Sequence, residues 1–93
     1  MDPAVAPVDI SAGGDIGYRV LYGYSVRNTG VAAKVFYIRD GGVGGQKVAI
    51  LSCQPAGAVG DEKTIPLPTP VTTPGKLFFD LNGGTAEGSV YVS

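Results

Sequence analysis

A run of alternating side chains near the amino terminus constrains the fold more than any other feature. Between residues 16 and 28, every even position up to 26 carries a large apolar or aromatic side chain, and the odd positions carry Gly, Arg, Ser or Leu. Because side chains of a strand point alternately to its two faces, the pattern predicts one long strand with a buried stripe. The stripe comprises Ile16, Tyr18, Val20, Tyr22, Tyr24 and Val26.

Short apolar runs separated by glycines and prolines continue along the rest of the chain. Of the 93 residues, 15 are Gly and 7 are Pro, and 44% are hydrophobic, which is typical of a turn-rich all-β domain. Further strands are expected at residues 32–39, 47–54, 63–67, 76–81 and 87–92. The absence of helical periodicity predicts an all-β fold, a small antiparallel β-sandwich or barrel of six to seven strands.

The amino-terminal residues are expected to form an extended arm over 1–14, followed by the β-sandwich domain over 15–93. Two prolines and a glycine pair exclude a helix in this arm. Val5, Val8 and Ile10 are apolar for a solvated tail, so both a frayed terminus and an arm that lies on another surface or adds an edge strand stay open.

Charge, cysteine content and apolar runs exclude several classes of protein. Lys and Arg number 7 against 8 Asp and Glu, so the chain has no strong field to attract nucleic acid or an acidic membrane. The single cysteine, Cys53, cannot form an internal disulfide or a cysteine zinc cluster and fits a reducing compartment. The first residues lack a signal-peptide pattern, and no apolar run is long enough for a membrane helix. We therefore expect a soluble protein made in the cytoplasm, without nucleic-acid or membrane partners.

Residues suited to catalysis are scarce. The chain contains 0 His, so Cys53 has no imidazole to activate it and is expected to be a buried structural thiol. Asp61 and Glu62 are adjacent, and neighbouring side chains on extended backbone point apart. The glycine-rich stretch before Lys47 lacks the Gly-Lys-Ser/Thr order of a phosphate-binding loop. The sequence thus predicts no catalytic residues, no metal ligands and no cofactor, and an enzyme is the last of three hypotheses.

Three stretches carry a family resemblance: residues 24–30, 34–41 and 84–92. In their strands and turns they resemble small virion proteins of tailed bacteriophages, and the similarity covers residues 18–92. The family comprises short β-rich proteins that serve as capsid decoration or minor capsid proteins. The resemblance implies a non-enzymatic protein located on the capsid surface of the virion, where it binds the major capsid protein and stabilises the shell. A sandwich with exposed edges could also form a homo-oligomer, with a trimer on a threefold position as the expected form.

Two segments are the expected contact surfaces, namely the arm through Ile10 and the proline-rich stretch at residues 66–74, a predicted sheet edge. The candidate interface residues are Val5, Pro7, Val8, Ile10, Pro66, Pro68 and Pro70. The alternative hypothesis is a ligand- or glycan-binding β-module of a phage tail fibre or adhesin, since aromatic faces stack on sugars. Exposed aromatic side chains clustered on one face would favour it, although the tyrosines of the stripe are expected to pack in the core or at its rim.

Overall fold

The computed structural model describes residues 5–93, which form eight β-strands and no helix. The strands are β1 (Ala6–Asp9), β2 (Gly14–Asp15), β3 (Val20–Asn28), β4 (Lys34–Asp40), β5 (Gln46–Cys53), β6 (Glu62–Thr72), β7 (Leu77–Asp80) and β8 (Ala86–Val92). The expectation of an all-β fold is confirmed, but eight strands are present where six to seven were expected. All the strands predicted after the first are present, and β6 is much longer than its sequence pattern indicated.

The strands form two four-stranded antiparallel sheets. The first sheet has the order β1-β8-β3-β6, and the second has the order β2-β7-β4-β5. The long strands β6 and β5 each lie at one edge of their sheet, as predicted for the proline-bearing strand. The short strands β1 and β2 lie at the opposite edges.

Buried side chains from both sheets form one hydrophobic cluster. Phe36 of β4 and Phe79 of β7 stack there with ring centroids 6.0 Å apart. The cluster consists of Ile10, Ile16, Leu21, Val26, Phe36, Ile38, Leu51, Cys53, Leu77, Phe79, Ala86, Val90 and Val92. A shared core of this kind ties the two sheets into one body.

The described part of the predicted arm adds one strand to each sheet. β1 pairs with β8, so that Ala6 lies opposite Val92, and β2 pairs with β7. Between them, the Ile10 amide donates a hydrogen bond to the Gly88 carbonyl at 3.2 Å, and the Ile10 side chain is only 1% exposed. The segment therefore supplies part of the core. The first four residues of the predicted arm lie outside the described residues.

The predicted buried stripe is confirmed at Ile16 and Val26, whereas Val20, Tyr22 and Tyr24 are only half-buried. The strand begins at Val20, and its register shifts between Leu21 and Gly23. Leu21, which lies outside the predicted stripe, is 1% exposed, whereas Tyr18 is 39% exposed. Because a β-bulge adds one residue to a strand, it moves the alternation by one position, and only Val26 beyond it keeps the predicted parity with full burial.

A buried asparagine fixes the connection that follows β3. The side-chain nitrogen of Asn28, Nδ2, donates hydrogen bonds to the backbone carbonyl oxygens of Ala32 at 2.9 Å and Gln54 at 3.0 Å. Its side-chain oxygen accepts a bond from the Gly30 amide at 2.9 Å. Since Asn28 is 1% exposed, these bonds satisfy a polar group that would otherwise be costly to bury.

Candidate interaction surface on the first sheet

The outward face of the first sheet brings distant parts of the sequence into one row. Directly paired residues of an antiparallel sheet project their side chains to the same face. Pro7 is paired with Tyr91, Tyr91 with Gly23, and Gly23 with Pro66. The row therefore joins the two segments that the sequence predicts as contact surfaces. Val90, the neighbour of Tyr91, points into the core, which places this row on the outside.

Two irregularities shape the face at this row. Tyr22 is the extra residue of the bulge in β3. On β6, the four residues 67–70 have no partner in β3, because Gly23 pairs with Pro66 and Leu21 pairs with Val71. Proline has no N–H to donate to a ladder, and alternate positions from Pro66 to Pro70 are proline, so pairing stops there and resumes afterwards. Pro68 and Pro70 are left exposed at the sheet edge.

A groove of about 240 Å³ opens on the bulge, and we call it the tyrosine groove. Its lining residues are Tyr22, Gly23, Tyr24, Thr64, Ile65, Pro66 and Tyr91, none of which is charged. Gly23 is required here, because a Cβ at this position would lie 2.7 Å from the Ile65 carbonyl oxygen. The Tyr22 hydroxyl accepts a hydrogen bond from Ser93 Oγ at 3.2 Å, which orients one wall.

Beyond the tyrosine groove the same face becomes polar and then charged. The next row is formed by Asp9, Ser89, Ser25 and Thr64, in which the Ser25 and Thr64 hydroxyls lie 3.0 Å apart. In the row after it, Arg27 Nε lies 3.5 Å from Glu87 Oε1 and 3.7 Å from Asp61 Oδ2, and Glu62 is paired with Arg27 across the strands. The carboxylates of Asp61, Glu62 and Glu87 outnumber the single guanidinium of Arg27, so this row carries net negative charge. We call these four residues the acidic row.

The predicted interface residues divide into exposed and buried ones. Val5 is 47% exposed, and the four prolines of the candidate set are also exposed. Val8 is half-buried opposite Val90. Ile10 needs correction as an interface residue, because its side chain fills the core of this chain and offers no surface. For the exposed residues the interface role stays a prediction.

Sequence reasoning missed Tyr22, Gly23 and Tyr91 as parts of a surface site. It assigned Tyr22 to a buried stripe and gave Gly23 no role. The available signal was the glycine itself, since glycine inside a strand marks a bulge or a close approach of another backbone. Nothing in the local pattern indicates that Tyr91, more than sixty residues later in the chain, lies beside it.

The outward face of the second sheet has a different character. Arg39 and Lys47 lie over the Tyr37 ring, with cation-to-centroid distances of 4.9 and 4.4 Å. Arg39 Nε also donates to Asp80 Oδ2 at 2.9 Å, and its Nη1 donates to the Gly45 carbonyl at 3.0 Å. Burial alone raises the pKa of Asp80, but bonds from Arg39 and the Asn82 amide, with the charges of Arg39 and Lys47, lower it below its ordinary value.

Cys53 lies in the core at 1% exposure, where burial raises the pKa of its thiol. Among residues 5–93, no three His, Cys, Asp or Glu side chains are grouped so that they could hold a metal ion. No helix long and apolar enough to cross a membrane occurs in the same range. Comparisons with protein-family models, curated proteins and solved structures found no match.

Proposed function

We propose that this chain is a non-enzymatic structural protein of a phage virion that binds the outside of the capsid as a decoration or minor capsid protein. One observation supports this proposal above the others. The row from Pro7 through Tyr91 and Gly23 to Pro66 places the two expected contact segments on a single exposed face. Such a face suits a protein that acts by binding.

The proposed architecture is a β-sandwich, in which the two sheets pack face to face over their common hydrophobic cluster. A rigid body of this kind keeps its contact residues at fixed spacings. A standard interface buries about 800 Å² on each partner, which a 93-residue domain can supply from one face. A subunit that bridges neighbouring shell proteins opposes expansion of the shell, because expansion would break those contacts.

The proposed partner is the major capsid protein, and the proposed location is the capsid surface of the virion. A homo-oligomer, with a trimer on a threefold position, remains part of the proposal. The long edges are poorly suited to direct strand pairing, because prolines interrupt β6 and a register shift interrupts β5. We therefore expect subunits to be brought together by the shell.

Co-sedimentation with purified shells tests this function. The expected result is saturable binding, with a fixed number of copies per particle and none retained when shells are omitted. Absence of binding to shells, together with absence of the chain from assembled particles, would overturn the proposal. Point substitutions are preferable to deletion of the arm, since deletion would also remove Ile10 from the core.

A second candidate function is a glycan-binding β-module of a tail fibre or adhesin. The specific observation in its favour is the tyrosine groove, where Tyr22 and Tyr91 line one depression, whereas the Tyr24 side chain packs against the core. Aromatic rings of this kind can stack on sugar rings. Binding to a glycan array without binding to shells would select this function over the first.

A further inference from the structure

We infer that the outward face of the first sheet receives an extended, proline-bearing segment of the shell protein in the tyrosine groove, and that a lysine or arginine of that partner lies against the acidic row. This inference rests on the proposed function and names the chemistry of the partner. It also selects one of the two outward faces as the docking face.

The chemistry of the tyrosine groove indicates an uncharged apolar occupant. No charged residue lines it, and Tyr22, Tyr91 and Pro66 provide rings and apolar walls. Proline-bearing segments dock in aromatic-lined grooves because their extended conformation is already formed and little entropy is lost on binding. Gly23 contributes backbone to the floor of the groove, where the Ile65 carbonyl of β6 packs against it.

The acidic row indicates that the partner segment carries a positive charge outside the groove. Arg27 lies four residues along β3 from Gly23, a distance of about 13 Å at the usual rise of a strand. The Glu87 side chain beside it is 59% exposed, and its ion pair with Arg27 is long at 3.5 Å. Glu87 and Glu62 are therefore available to a partner cation about 13 Å from the groove.

On the second sheet the charged side chains are engaged with one another, although Ile50, which is paired with Tyr37, is 62% exposed. The central ion pair of this sheet, between Arg39 and Asp80, is 2.9 Å long, and the two side chains are 17% and 19% exposed. Arg39 and Lys47 also lie against Tyr37. Since these charges and this ring already contact one another, a partner would have to disrupt existing contacts before gaining new ones.

The first experiment compares two tyrosines of equal exposure. Tyr91 and Tyr18 are each 39% exposed, but only Tyr91 lines the tyrosine groove. Tyr91→Ala is expected to weaken co-sedimentation with shells by about tenfold or more, and Tyr18→Ala by less than about twofold. Tyr91→Phe keeps the ring and is expected to retain most of the binding. Melting curves of all three variants show whether each is folded.

The second experiment tests the acidic row. Glu87→Gln is expected to weaken binding about threefold at about 0.1 M salt, and the difference is expected to vanish near 1 M salt, where surface charges are screened. Asp15→Asn is the matched control, because Asp15 pairs across the second sheet with Phe78 and lies away from the acidic row. It is expected to bind as the unaltered chain does at every salt concentration.

The outcomes separate the inference from the function on which it rests. If the unaltered chain does not bind shells, the proposed function fails and the inference fails with it. If it binds but Tyr91→Ala and Tyr18→Ala behave alike, the function stands and the choice of docking face is wrong. If instead a neutral glycan binds and Tyr91→Ala abolishes that binding, the occupant is a saccharide and the inference is overturned.

Discussion

The two outward faces of this molecule are built from the same number of strands but by different means. On the first sheet, the shape comes from the backbone, through a bulge at Tyr22, the glycine at position 23 and interrupted pairing at residues 67–70. The second sheet also has a register shift, next to Arg39, but there side chains contact one another around Tyr37, Arg39 and Asp80. A face whose own side chains satisfy one another stabilises its sheet, whereas a face shaped by backbone leaves side chains free to meet a partner.

The sharpest way to test this comparison is to add one methyl group to the backbone-shaped face. In Gly23→Ala, the new Cβ would lie 2.7 Å from the Ile65 carbonyl oxygen and 3.2 Å from the Pro66 Cα. Because both atoms belong to backbone, β3 and β6 must separate. We expect the free energy of unfolding to fall by about 3 kcal/mol in urea denaturation.

The control for this substitution lies in the second sheet, in the connection between β4 and β5. A Cβ at Gly44 would meet nothing within 4 Å, so Gly44→Ala is expected to change the free energy of unfolding by less than about 1 kcal/mol. Equal effects of the two substitutions would contradict the view that close backbone approach shapes the first face.

The next largest expected effect is the difference in the loss of stability between Arg39→Ala on the second sheet and Arg27→Ala on the first. Arg39→Ala removes the bond to Asp80, the bond to the Gly45 carbonyl and the contact with the Tyr37 ring. We therefore expect the free energy of unfolding to fall by about 1–2 kcal/mol. Arg27 is 47% exposed and its ion pairs are 3.5 and 3.7 Å long, so Arg27→Ala is expected to cost less than about 0.5 kcal/mol. Thermal and urea unfolding of the two variants, measured side by side, check the ranking. An Arg27→Ala loss as large as that of Arg39→Ala would show that the first face also stabilises its sheet through side chains.

Much of the fold could be predicted because it depends on local patterns. Alternation of apolar residues located β4, β5 and β8, and the prolines correctly placed β6 at a sheet edge. Alternation did not predict the burial of Leu21 or the half-burial of Tyr22, because a bulge is set by the pairing of β3 with its neighbours, and its local sign is only the glycine at position 23. The burial of Leu21 follows from the bulge, whereas Tyr18 lies before β3, where the backbone of Ile16 and Tyr18 bonds to Leu77 of the other sheet.

The candidate site could be predicted only in part for the same reason. The exposed prolines were named from the sequence, but their meeting on one face depends on β1 and β6 flanking β8 and β3 in the first sheet. The role of Asn28 was also hidden, since its bonding partner at Gln54 lies 26 residues away. Long-range pairing therefore decides both which residues are neighbours and which of the apolar residues, such as Ile10, are withdrawn into the core.

The smallest expected effect compares two carboxyl groups, one from each sheet. Hydrogen bonds from the Ser11 amide and hydroxyl lower the pKa of Asp9, whereas the lowered pKa of Asp80 depends on Arg39. A carboxyl whose pKa is lowered by folding contributes stability above the ordinary pKa, and this contribution is lost as the pH falls through the lowered value.

In NMR titrations, the midpoints of Asp9 and Asp80 should therefore both lie below the ordinary value for aspartate. Arg39→Ala should raise the pKa of Asp80 and leave that of Asp9 unchanged, and it should weaken the loss of stability in acid. If Arg39→Ala raised both midpoints, the charges of the two sheets would be coupled, and the two faces would not be electrostatically independent.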